Sequence, residues 1–134
     1  MNRFQVLLAE DNDGDVLLVH EALRTHQLDC GMSVLADGDE AISYLQRIGR
    51  DGAGCPDIFL VDLNLPGHDG FELLKAFRKH CGHAVPVVII TSSEAPQDIA
   101  RARELGANEY FRKPMQLDKF LQLGSVVKSL LPAT

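Results

Sequence analysis

Residues 58–67 read IFLVDLNLPG, and this stretch decides the fold. Ile58 to Val61 is apolar at every position, without the alternation of a strand that has one wet face. Such runs belong to strands covered on both faces, as in a parallel sheet lying between two layers of helices. The run stops at Asp62, and Asn64, Pro66 and Gly67 follow as turn residues. Asp62 therefore stands at the carboxyl end of a buried strand.

Working outward, Val87–Ile90 repeats the pattern downstream within a strand candidate Val87–Thr91, and a further strand candidate, Phe4–Ala9, lies upstream. Met32–Leu35 and a short Glu109–Phe111 bring the strand candidates to five. Helical spacing fills the intervals. A first helix over Gly14–Thr25 places Val16, Val19 and Leu23 on one face, with Asp13 as an N-cap candidate. A second over Asp39–Ile48 buries Ala41, Ile42, Leu45 and Ile48 and stops at Gly49. A third over Gly70–His80 turns Phe71, Leu74 and Phe77 inward and Glu72, Lys75, Arg78 and Lys79 outward. A fourth over Pro96–Leu105 ends at Gly106, and a last one spans Gln116–Leu131. Five successive β-then-α units predict an α/β fold: a doubly wound, five-stranded parallel sheet of order 2-1-3-4-5, with helices on both faces.

The chain has 134 residues, 46% of them hydrophobic, which suits a single domain over residues 1–134 with no output domain. Its formal charge of -6 opposes the basic surface that nucleic acid requires. No apolar run approaches the ~20 residues of a membrane span. The first residues enter a strand without a signal-peptide pattern, so the cytoplasm is the expected location. Cys30, Cys55 and Cys81 lack CxxC spacing, and their odd number speaks against a disulfide framework and for a reducing compartment.

In doubly wound sheets, ligands lie beyond the carboxyl ends of the strands. There the chain sets Glu10 and Asp11 after the first strand, Asp62 after the third, Thr91 at the end of the fourth and Lys113 after the fifth. Three carboxylates in one crevice repel one another, and a hard cation with oxygen ligands relieves the repulsion. Magnesium suits such an open site, because it keeps several waters. A carboxylate can also accept a phosphoryl group as an aspartyl phosphate. Asp62 is best placed to do so, with Lys113 and Thr91 able to bind the acquired oxygens and the Asn64 carbonyl available to the metal. Singly, each acidic residue reads as readily as a turn or cap residue; together, at matching strand ends, they do not. A cis Lys113–Pro114 bond would fix the lysine.

The segments LLAEDNDGD, FLVDLNLPGHDG, PVVIITSSE and GANEYFRKP resemble the response-regulator receiver family of two-component signalling, whose fold is CheY-like. The resemblance covers nearly the whole chain. It implies Asp62 as phosphoacceptor, Glu10, Asp11, Asp62 and the Asn64 carbonyl as the Mg2+ site, Thr91 and Lys113 as phosphoryl-sensing residues, and Tyr110 as the aromatic switch. It also implies a sensor histidine kinase as partner. The DLNLP and TSS segments resemble those of stand-alone regulators paired with bacterial phytochrome kinases. Two features depart from the common pattern: Ser92 follows Thr91 where many receivers carry alanine, and Ser93 takes the next position, which in the family influences phosphoryl lifetime.

Other signals fail on their own spacing. Asp11-x-Asp13-x-Asp15 opens like a calcium loop, but Val16 and Ala22 stand where glycine and glutamate are needed. His80, Cys81 and His83 have no second cluster to complete a zinc site. No glycine-rich nucleotide cradle follows any strand. A magnesium-dependent phosphohydrolase would want a carboxylate two residues past its nucleophile, where this chain has Asn64. The expectation is a signalling phosphoacceptor rather than an enzyme, with limited self-catalysed phosphotransfer and dephosphorylation. In the last helix Leu117, Leu121, Val127 and Leu131 form an inward stripe, and Phe120, Leu123 and Leu130 extend the apolar surface. That excess suggests a homodimer or a downstream protein partner on the surface of the fourth helix, fifth strand and last helix.

Overall fold

The computed structural model describes residues 3–50 and 54–132, the side chains of 49 and 50 excepted. Five strands, β1 (Phe4–Ala9), β2 (Cys30–Leu35), β3 (Ile58–Val61), β4 (Val87–Thr91) and β5 (Glu109–Arg112), form one sheet in the order β2-β1-β3-β4-β5. Every neighbouring pair is parallel. The helices are α1 (Asp13–Thr25), α2 (Gly38–Arg50), α3 (Gly70–Cys81), α4 (Pro96–Glu104), α5 (Leu117–Phe120) and α6 (Leu123–Leu130).

The continuous apolar runs do what their composition requires. All residues of β3 and β4 are buried. Leu7, Ala9, Phe59, Val61 and Ile89 face one core with α2 and α3, while Val6, Leu8, Ile58, Leu60, Val88 and Ile90 face a second core with α1, α5 and α6. Register then assembles the rim. Ala9 pairs with Val61 and Thr91 with Arg112, so Glu10, Asp62 and Lys113 leave the sheet together.

Several expectations need correction. Asn12, not Asp13, caps α1, accepting from the Asp15 N–H at 2.9 Å. α2 continues through Gly49 to Arg50. Arg78, expected outside, is buried, and donates to the carbonyls of Gly82, Val85 and Gly106 and to the Asn108 side chain. Those acceptors close the α3–β4 and α4–β5 connections around one guanidinium. The last helix is broken at Leu121 and Gln122. Val127 and Leu131 enter the core as expected and are joined there by Phe120 and Leu123, while Leu121 is half-buried and Leu117 lies 58% exposed. Gly124 makes this packing possible, since a Cβ there would collide with His26 and the Ala22 carbonyl of α1. No peptide bond among the described residues is cis, so Lys113–Pro114 is trans. The lysine is fixed otherwise, by its backbone N–H donating to the Thr91 carbonyl at 2.8 Å.

The expectation that the cysteines form no disulfide is also overturned. Cys55, before β3, and Cys81, the last residue of α3, are joined by a disulfide, leaving Cys30 free. Their Cα atoms lie 5.8 Å apart, within the span that a disulfide bridges. Sequence separation hid this proximity, which the return of α3 along β3 creates.

Candidate metal and phosphoacceptor site

Glu10, Asp11 and Asp62 come together at the carboxyl rim, each offering a carboxylate oxygen within 4.8 Å of the others. Glu10 and Asp62 are buried and Asp11 is exposed, so the cluster opens to solvent on one side. Three hard oxygen donors at this spacing fit a divalent cation.

Asp62 is held from two sides. Its Oδ1 accepts from the Asn64 backbone N–H at 2.9 Å and its Oδ2 from Lys113 Nζ at 2.7 Å. The chain behind it has no slack. A Cβ on Gly70 would stand 2.6 Å from Leu63 Cα and 2.7 Å from the Asp62 carbonyl oxygen. Only glycine lets the start of α3 lie this close to the strand end.

Lys113 meets three carboxylates: Glu10 Oε1 at 2.6 Å, Asp15 Oδ2 at 2.7 Å and Asp62 Oδ2 at 2.7 Å. Burial disfavours its charge, but hydrogen bonds to Asp15, Asp62 and Glu10 outweigh this and hold its pKa above the ordinary lysine value. Burial pushes the Glu10 carboxyl up to about 7, against the pull of Lys113, and the charge of Asp62 adds to the rise. Asp15 escaped sequence reasoning. One acidic residue in a helix's first turn looks like a favourable partner of the helix dipole, and only its place on α1 opposite Lys113 marks it out.

Thr91 is fully buried, and its Oγ1 accepts from the Ser93 N–H at 3.3 Å and from Asn64 Nδ2 at 3.5 Å. The Tyr110 hydroxyl donates to the Ser93 carbonyl at 2.9 Å, and the Ser93 hydroxyl donates to Asp98 Oδ2 at 2.6 Å. Ser93 thus ties Thr91, Tyr110 and the first turn of α4 into one connected segment.

The family model of the response regulator receiver domain matches residues 6–123. This chain belongs to that family. The receiver domain is 33% identical over 126 residues to Response regulator Rcp1 of Synechocystis, covering 92% of this chain and 86% of that protein. A crystal structure of the Mn(2+)-bound form of Rcp1 superposes with a TM-score of 0.82 at 33% identity, covering 97% of this chain and 99% of that one. The phosphorylated cyanobacterial phytochrome response regulator RcpA gives 0.83 at 31% identity, with coverage of 97% and 99%. Like other receiver domains, this one is a signalling phosphoacceptor of a two-component system, with a histidine kinase as its partner. Its acidic cluster is of the kind that binds a divalent metal.

Proposed function

We propose that Asp62 is the residue that accepts the phosphoryl group, from a phosphohistidine of a sensor histidine kinase. One observation carries this reading: Asp62 is a buried carboxylate at the end of the central strand, with a lysine ammonium 2.7 Å away and two further carboxylates beside it. An Asp62 carboxylate oxygen attacks phosphorus, the P–N bond to the kinase imidazole breaks, and the imidazole leaves with the electron pair and takes up a proton. Glu10, Asp11, Asp62 and the Asn64 carbonyl would hold Mg2+. When bound, the cation would draw charge from the phosphoryl oxygens.

Lys113 and Thr91 supply the remaining contacts. The ammonium is already beside Asp62 and can follow the new phosphoryl oxygens. The Thr91 hydroxyl accepts two hydrogen bonds, so its own hydrogen is free to donate to a phosphoryl oxygen. Movement of Thr91 would be passed through Ser93 to Tyr110 and α4, shifting the population of the α4–β5–α5 surface that a downstream protein would read. Limited self-catalysed phosphotransfer and dephosphorylation belong to the same reading. So do a single receiver domain over residues 1–134, a cytoplasmic location, and a homodimer through this surface. Phe120 and Leu123 are used by the domain's own core, which leaves Met115 and Leu117 as the exposed apolar side chains at that edge.

The similarity to Rcp1 and RcpA favours a bacterial phytochrome as the kinase. Phosphotransfer from a panel of histidine kinases, comparing wild type with Asp62→Asn, tests both statements. Acid-labile phosphate is expected in the wild type, fastest from a phytochrome kinase, and absent in Asp62→Asn. Incorporation that persists in the variant would move the acceptor elsewhere. Light scattering with and without an acyl phosphate and Mg2+ tests the dimer, which a strict monomer in both states would exclude.

A further inference from the structure

We propose that Asp15 is a positioning residue, which holds the Lys113 ammonium aside when a divalent cation enters the Glu10–Asp11–Asp62 cluster; this rests on reading that cluster as a metal site. An ammonium has three N–H groups; that of Lys113 donates to Asp15 and Asp62 at 2.7 Å each and forms an ion pair with Glu10 at 2.6 Å. Two of these, Glu10 and Asp62, belong to the cluster. The third, Asp15, does not.

A cation held by Glu10 and Asp62 would draw on the same two carboxylates as the lysine and would repel its charge. The lysine side chain is only 11% exposed. Deprived of its partners it would become an uncompensated buried charge, a costly state. Asp15 gives it somewhere to remain. That carboxylate sits in the first turn of α1, 23% exposed, and its backbone N–H is bound by the Asn12 cap. The lysine backbone is bound to Thr91. Both ends of the Asp15–Lys113 pair are therefore anchored outside the cluster. The exchange of ammonium for metal becomes a short movement toward Asp15 rather than an expulsion.

The alternative is a simple structural ion pair joining α1 to the segment after β5, whose charge attracts the cation only at long range. A double-mutant cycle separates the two. Mg2+ alone is titrated calorimetrically at neutral pH into the full-length wild type, Asp15→Asn, Lys113→Met and the double variant, with melting curves to establish that each is folded. Asp15→Asn is expected to weaken Mg2+ at least fivefold when Lys113 is present and less than twofold when it is absent. Equal losses in both backgrounds, or no loss in the first, overturn the proposal. Should Lys113→Met not fold, Lys113→Gln serves the same comparison. Asp11→Asn separates this inference from its premise. If that variant binds Mg2+ as the wild type does, the metal-site reading falls and the inference with it. If Asp11→Asn loses Mg2+ while the Asp15 effect is independent of Lys113, the inference alone falls.

Discussion

Lys113 Nζ and Asp62 Oδ2 lie 2.7 Å apart in a setting where both side chains are largely buried. The ammonium also contacts Glu10 and Asp15, so one positive charge serves three negative ones. Removing it leaves those carboxylates facing each other out of water. Lys113→Ala is expected to destabilise the domain by about 3 kcal/mol, the range for removing one partner of a buried pair. A divalent cation should recover part of the loss. Thermal melts with and without Mg2+ would show this as a larger metal-induced rise in Tm for the variant than for the wild type.

Glu10 binds metal only as a carboxylate, yet burial holds its pKa near 7, above the ordinary value of 4.5. Metal binding must therefore release a proton at and below neutral pH, and apparent affinity should fall as pH drops below about 7, by up to about tenfold per unit. Glu10 in the metal-free protein contributes in the opposite direction to stability. The folded state holds the proton more tightly than the unfolded state, so its contribution is most favourable below pH 4.5 and is lost as pH rises towards 7. Titration calorimetry in buffers of different ionisation enthalpy measures the released proton. A binding constant flat from pH 5.5 to 8, roughly the span around this pKa, would refute the assignment of Glu10 as a ligand.

Gly70 tests how firmly the fold holds the site. Its missing Cβ would stand 2.6 Å from Leu63 Cα and 2.7 Å from the Asp62 carbonyl oxygen, both of them backbone atoms. Gly70→Ala must displace the strand end or the start of α3, at an expected cost of roughly 2 kcal/mol. Phosphoryl incorporation should slow with it, because the Asp62 backbone carries the displacement. Denaturant unfolding and acyl-phosphate labelling of the same preparation would check both.

The Cys55–Cys81 bridge joins residues 26 positions apart, across a segment that contains β3, Asp62 and α3. Loop-closure entropy gives such a crosslink about 3 kcal/mol. Reduction, or Cys55→Ser, should lower unfolding free energy by about that amount, with Cys30→Ser having little effect. Thiol titration of the oxidised protein under denaturing conditions should find one free thiol, that of Cys30.

Much of this molecule was legible in the order of its residues. Two fully apolar runs, Ile58–Val61 and Val87–Ile90, required helices on both faces of a sheet, and alternation of strands with helices left a parallel, doubly wound topology. Since that topology brings strand ends to one rim, Glu10, Asp11, Asp62, Thr91 and Lys113 could be gathered from sequence, and three of them do lie within 4.8 Å. Periodicity and strand-end position are local properties, and they survive in a one-dimensional reading.

What only the tertiary structure decided depends on distances between segments far apart in the chain. Asp15 meets Lys113 across 98 positions because α1 packs beside the segment after β5. Cys55 meets Cys81 because α3 runs back along β3. Arg78 looked like an outer helix residue until two connecting loops turned their carbonyls towards it. The last helix read as continuous because the break at Leu121 and Gln122 lacks proline or glycine, and is set instead by packing against α1. Side-chain chemistry announces itself in sequence, but pairing is a property of the closed fold, and here pairing determines how the rim charges are shared.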